Sequence, residues 1–246
     1  HTRYSGDWSS DVCSSDLTGV FRDCNFTGNI AGYSGGGLSG GAVFIGSRFL
    51  NNQAERHGGG AFISSGRIEN CIFEDNNASG KGGALFVTGP NSGVLPSSGS
   101  IRILGTFFTG NDSGLDGGAI CLESHSAPWS EDTRGISNSV FKMNSAARNG
   151  GAVWFGSLTP LSNCIFTKNV AAQNGGGVGI EGNYFTPIPL SNCLFLENNA
   201  SAGGGWYRTP TTQGWPQNLN EENISNCLFY GNSASVSAGG IFTSSR

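Results

Sequence analysis

The sequence predicts an all-β protein, a parallel β-helix solenoid of about eight coils, and three observations carry that expectation. A motif with four fixed columns recurs eight times along the chain. Its shortest period, 23 or 24 residues, has room for two or three short strands and for little else. Composition agrees: 41 glycines and a single methionine among 246 residues argue against helices, and the strict three-residue glycine period of collagen is missing.

The stretch Ile68–Leu85 shows the unit whole: an apolar residue, Asn-Cys-Xaa-Phe, then Asn, Ala, Gly-Gly-Ala and a second apolar residue. Anchoring on the phenylalanine gives Phe26, Phe49, Phe73, Phe108, Phe141, Phe166, Phe195 and Phe229, at intervals of 23, 24, 35, 33, 25, 29 and 34 residues. Three residues later there is always an asparagine, from Asn29 to Asn232, and two further an alanine, or once Ser113. Five residues before each phenylalanine stands an apolar side chain, from Phe21 to Ile224. A leucine-rich repeat of similar period needs leucine at fixed spacing, and a propeller blade needs four strands in 40 or more residues, so neither fits.

Each column then has an expected role. Two strands are expected in each unit, around the phenylalanine and after Gly-Gly-Ala, with a weaker third near Asn-Xaa-Ala. Equivalent residues on successive coils would lie about 4.8 Å apart and form ladders. The phenylalanines would fill the interior. The asparagines would sit at a turn, tolerating left-handed backbone angles, and the glycine pairs would form a second sharp corner. The odd spacing between the apolar column and the phenylalanine requires a bend at the Ser-Asn pair before cysteine. The cysteine column (Cys24, Cys71, Cys164, Cys193 and Cys227) has Ser47, Thr106 and Ser139 on the other coils. That exchange points to small buried free thiols, since in-register parallel strands aim side chains the same way and suit a disulfide badly.

Residues 1–17 share nothing with the repeat. Asp7–Leu17 resembles a translated sequencing-library adapter, so this segment is expected to be an artefact and 18–246 the repeat domain. Setting it aside leaves twelve basic and fourteen acidic residues, a near-neutral balance without the basic stripe that nucleic-acid binding requires. The chain stops inside the pattern, so it is expected to be a piece of a longer reading frame, with any membrane attachment made through other parts. No run of 18 or more apolar residues occurs.

Eight copies of Phe-Xaa-Xaa-Asn with Gly-Gly-Ala-apolar resemble the repeats of the polymorphic outer-membrane proteins of Chlamydia and related bacterial repeat proteins. The resemblance covers residues 18–246. It implies a right-handed parallel β-helix of the pectin-lyase-like type, secreted or displayed at the cell surface, with adhesion as the usual role.

Function is expected where units differ. The extra length of long units falls between the Gly-Gly-Ala strand and the next apolar column, around residues 89–100, 123–134, 182–189 and 209–223. These insertions should leave one edge of the solenoid. They carry Trp129, Tyr184 and Trp215, and Trp206 and Tyr207 lie on the strand leading in; these five are the candidate binding residues, for glycans or for host or neighbour surface proteins. For an enzyme, the best carboxylate pair is Glu123 and Glu181, at matching positions two coils apart and so about 9–10 Å from each other, with Arg208 nearby. That separation is the outer limit for an inverting glycosidase, and solvated charges at a strand end are the simpler reading. Polysaccharide cleavage by this pair and a purely structural spacer are the alternatives to binding. His57 and His125 are expected at the surface. Nothing in the sequence calls for a metal or another cofactor.

Overall fold

A computed structural model describes residues 19–88, 101–123, 135–156, 159–181, 188–209 and 223–243. Among these residues every regular element is a strand, and the strands fall into four parallel sheets of eight. One strand of each sheet comes from each coil, so the chain is a parallel β-helix of eight coils. In the third coil the four strands are Gly66–Glu69, Ile72–Glu74, Asn77–Ala78 and Leu85–Val87. Two or three strands per coil were expected from the sequence; the fourth is the apolar column itself. A left-handed residue, Asn70 at φ 52°, separates Ile68 from Phe73 and turns the column into a strand of its own. Asn138, Asn163, Asn192 and Asn226 repeat that corner, which is the bend the odd spacing requires.

The interior is built of ladders in strict register. Phe49, Phe73 and Phe108 pair across the second sheet, and in the first sheet Phe44 pairs with Ile68 and Ile68 with Ile103, across the second, third and fourth coils. The phenylalanine rings stack from Phe26 to Phe229 with centroids 4.5 to 5.0 Å apart and nearly parallel planes. Each fully buried ring contributes about 1.5–3 kcal/mol by leaving water, and stacking adds about 0.5–1.5 kcal/mol per pair.

Beside the rings runs an amide ladder, and here the expectation from sequence needs correction. The column asparagines are not the left-handed residues. The residue before each takes that role, as Asn51, Asp75, Met143, Lys168 and Glu197 show. Asn76, Asn111, Asn144, Asn169 and Asn198 are instead buried with both ends of the amide satisfied. The Asn111 Nδ2 donates to the Phe73 carbonyl at 3.0 Å and to Asn144 Oδ1 at 2.9 Å. Its Oδ1 accepts from the Asn76 backbone N–H at 3.0 Å and Nδ2 at 2.9 Å. The same four bonds recur along the stack.

The cysteine column forms a second polar ladder, which explains its exchange with serine and threonine. Cys71, Cys164 and Cys193 donate from Sγ to the carbonyl two residues back at 3.2–3.3 Å, as Ser47, Thr106 and Ser139 do from Oγ at 2.8–3.2 Å. The position therefore selects a small donor rather than merely a small residue. The six cysteines described are free thiols, and burial pushes the Cys71 thiol up to about 11, keeping the donating proton in place. At the third corner, which precedes the fourth strand, Gly82 has φ 68°, and a Cβ on Gly83 would meet the Gly118 carbonyl oxygen at 2.2 Å, so both positions require glycine.

Replacing Asn111 with alanine leaves the Asn76 backbone N–H and one of its Nδ2 protons without an acceptor and takes a donor from the Phe73 carbonyl. At about 1–3 kcal/mol for each buried group left unpaired, the loss of stability is expected to be about 3–5 kcal/mol. Urea unfolding of Asn111→Ala measures it, and a loss below about 1 kcal/mol would contradict the ladder's role.

Candidate functional site

Strands of the fourth sheet alternate inward and outward. Leu85 and Val87 point into the core, and Phe86 points out. Parallel register places Phe62, Phe86, Cys121, Trp154, Gly179, Tyr207 and Phe242 in one outward column. Neighbouring rings in it stack at the coil spacing: Phe62 on Phe86 with centroids 5.4 Å apart, Tyr207 on Phe242 at 5.1 Å. At Gly179 the column is interrupted, with Trp154 one coil below and Tyr207 one coil above.

This face is overlaid by the corner that precedes the fourth strand, whose polar residues also lie in register. His57 stacks on Phe86 with centroids 4.6 Å apart, and its Nδ1 accepts the Lys81 backbone N–H at 3.1 Å. Lys81 sends Nζ to Glu123 at 2.7 Å and lies 5.3 Å from the Trp154 ring centroid. Asp116, buried, takes a two-pronged contact from Arg148 at 2.6 and 3.2 Å and a third bond from Asn149 at 3.0 Å. That contact raises the Arg148 guanidinium above its ordinary range. Asn174 donates to Asn149 Oδ1 at 2.9 Å and continues the row.

A cleft of ≈ 140 Å³ adjoins Gly179, lined by Trp154 and Tyr207 together with Asn149, Gln173, Asn174, Glu181 and Thr209. Gly179 is needed because a Cβ there would stand 3.0 Å from the Gly150 amide and 3.2 Å from the Asn174 carbonyl oxygen. Lys81 lies over the Trp154 ring, and Phe242 stacks on Tyr207.

The residues singled out from sequence fare unequally. Tyr207 lines the cleft, half-exposed. Trp206 does not belong to a binding surface: it is fully buried, pairs in register with Val178, and meets Phe195 edge-on at 6.2 Å. The two-residue period of the strand decides this, because neighbours face opposite sides. Trp129, Tyr184 and Trp215 lie outside the described residues. The ends of all four insertions do open from one edge, between the fourth sheet and the first.

Glu181 pairs with Thr209 across the sheet, and the alignment of Leu122, Phe155 and Ile180 carries that column down through Gly156 to Glu123, two coils away as expected. The two carboxylates do not share open space, however. Glu123 is engaged by Lys81, and the Trp154 ring overhangs Gly156, 3.0 Å from where its Cβ would be. Arg208 falls in register with Ile180, one residue out of step with the glutamates. His57, expected at the surface, is half-buried, and His125 lies outside the described residues.

Sequence reasoning missed Trp154, Gln173, Asn174 and Gly179. Aligning the second residue after each Gly-Gly-Ala would have found Trp154 and Gly179, because a glycine among large side chains marks a gap.

Burial, first, and the nearby Arg56 lower the His57 pKa from its ordinary value, while Glu123 opposes them. A depressed folded pKa means that stability is complete above about pH 6.5, the unfolded value, and is lost as pH falls below it. The fall in unfolding free energy between pH 7 and 5 is expected to be smaller in His57→Gln than in the native protein. Equal falls in the two proteins would contradict this.

Among the described residues no helix is long and apolar enough to cross a membrane, and no cluster of His, Cys, Asp or Glu is arranged to hold a metal ion. Searches of curated proteins and of solved structures return no match. Residues 70–88, running from the Asn70 corner through the fourth strand of the third coil, match the family model of the Chlamydia polymorphic membrane protein repeat.

Proposed function

We propose that the protein is a secreted or surface-displayed bacterial β-helix that binds glycans or neighbouring surface proteins and performs no catalysis. The observation that carries this reading is the interrupted aromatic column, beside a cleft lined in part by Trp154 and Tyr207 on an otherwise regular wall. Partly exposed aromatic side chains with polar groups beside them are suited to contact. The repeat match supports a place at the outer membrane or cell surface, and adhesion is the role that such a place and such a face fit together. Near-neutral charge favours such partners over nucleic acid.

Cleavage of a polysaccharide is the weaker reading. An acid and a base must flank one bond, whereas Glu123 is tied to Lys81 and the Trp154 ring stands between it and Glu181. A bare spacer has no use for a cleft.

The test is binding of the 246-residue protein to a glycan array and to intact cells, with a parallel assay for newly released reducing or unsaturated sugar ends. Retention on glycans or cells without release is expected. Release of sugar ends that is abolished in Glu181→Gln would overturn the reading in favour of an enzyme, and retention on neither surface would leave only the spacer.

A further inference from the structure

The second sheet turns one face to solvent. Each of its strands has three residues, with the phenylalanine inward and its two neighbours outward, as in Ile72–Glu74, Val140–Lys142 and Ile165–Thr167. The outward residue before the phenylalanine is apolar on six successive coils: Ile72, Phe107, Val140, Ile165, Leu194 and Leu228. Parallel register lines them up in one stripe, about 24 Å long at the strand spacing. Phe107 is 52% exposed and Leu228 50%. A continuous exposed apolar stripe of this kind marks a contact surface.

The outward column after the phenylalanine carries the charges. Glu74 lies on the third coil and Lys142 on the fifth, both in register with Thr109 on the fourth. Among the described residues neither enters an ion pair. These features select one occupant and one orientation. A second copy, turned about a two-fold axis along the Phe107–Thr109 strand, lays stripe on stripe. Phe107 then meets its own copy and Ile72 meets the partner's Val140. The third coil faces the partner's fifth, so each Glu74 meets the partner's Lys142. Facing sheets stand about 10 Å apart, a gap that a glutamate and a lysine span together. A two-fold axis along the solenoid would instead lay the charged column on the apolar stripe and bury both charges unpaired.

We infer that the outer face of the second sheet is a two-fold contact between copies of this protein, centred on Phe107 and keyed by Glu74–Lys142 pairs. It goes beyond the binding reading above and does not depend on it, because the Gly179 cleft belongs to another wall of the solenoid. Its size sets its strength. Seven overlapped coils, three residues wide, cover roughly 300 Å² on each copy. That is less than half of the about 800 Å² of a standard interface, so the dimer is weak in dilute solution. Copies held side by side at effective concentrations of about 1 mM keep it populated.

Sedimentation equilibrium of the 246-residue protein, from about 10 μM to about 1 mM, tests this. Reversible dimerisation with Kd of about 0.1–1 mM is expected. Phe107→Asp is expected to weaken it at least about tenfold. Glu74→Lys and Lys142→Glu each set like charges across the contact and are also expected to weaken it about tenfold. An equimolar mixture of these two variants is expected to regain native association, since each supplies the charge that the other lacks. All three positions lie on the solvent side of the sheet, and circular dichroism confirms that each variant is folded. A native protein still monomeric at about 1 mM would overturn the contact. So would a folded Phe107→Asp variant that dimerises as the native protein does, or charge variants whose mixture associates no better than either alone. Failure of the binding reading shows separately, as loss of glycan and cell retention by the native protein.

Discussion

The amide ladder from Asn29 to Asn232 is the constraint on which the rest depends. A hydrophobic stack alone tolerates slippage, because a ring gains nearly as much from a neighbour displaced along the strand. An asparagine that donates to a carbonyl one coil back and to an amide one coil forward admits one register. Buried and doubly satisfied, each link is costly to break and adds specificity that the phenylalanines cannot supply. The coil spacing it enforces is the spacing of the inner rings, of the cysteine-column donors and of the outward column on the fourth sheet.

A regular solenoid presents the same surface on every turn, so distinct chemistry must come from departures. Two kinds are visible. Insertions leave the edge between the fourth and first sheets, where they do not disturb the ladders. Substitutions within a column change one rung while its neighbours hold their places, and Gly179 is such a rung. The adjoining cleft is rigid, since Trp154 and Tyr207 are fixed on paired strands, with Lys81 over the one ring and Phe242 stacked on the other. Rigid walls reduce the ordering cost of capturing a ligand.

The fold was legible in the sequence because stacking forces identity: Phe73, Asn76 and Gly83 recur on every coil since each touches its own copies above and below. What recurs could be counted. Corner geometry was only partly legible. Position alone could not tell whether Asn76 or Asp75 takes the left-handed angle, and the apolar column's strand emerged only with the turn at Asn70. The candidate site was harder still. Trp206 and Tyr207 are adjacent letters with opposite fates, separated only by which side of the strand each faces. Glu123 and Glu181 were placed correctly by column, yet the intervening indole of Trp154 belongs to side-chain direction, which spacing does not encode. The interruption at Gly179 is a missing side chain, and a motif search that seeks presence passes over it.

The measurement that tests the central claim most directly is hydrogen exchange of the asparagine side-chain amides, followed by ¹H–¹⁵N NMR after transfer to D₂O. Asn52, Asn76, Asn111, Asn144, Asn169 and Asn198 are buried with Nδ2 hydrogen-bonded along the stack. Their side-chain signals are expected to persist long after those of exposed amides have vanished, and to decay together as the solenoid unfolds. Side-chain amide signals that all disappear at the rate of free asparagine would contradict the ladder and the register that rests on it.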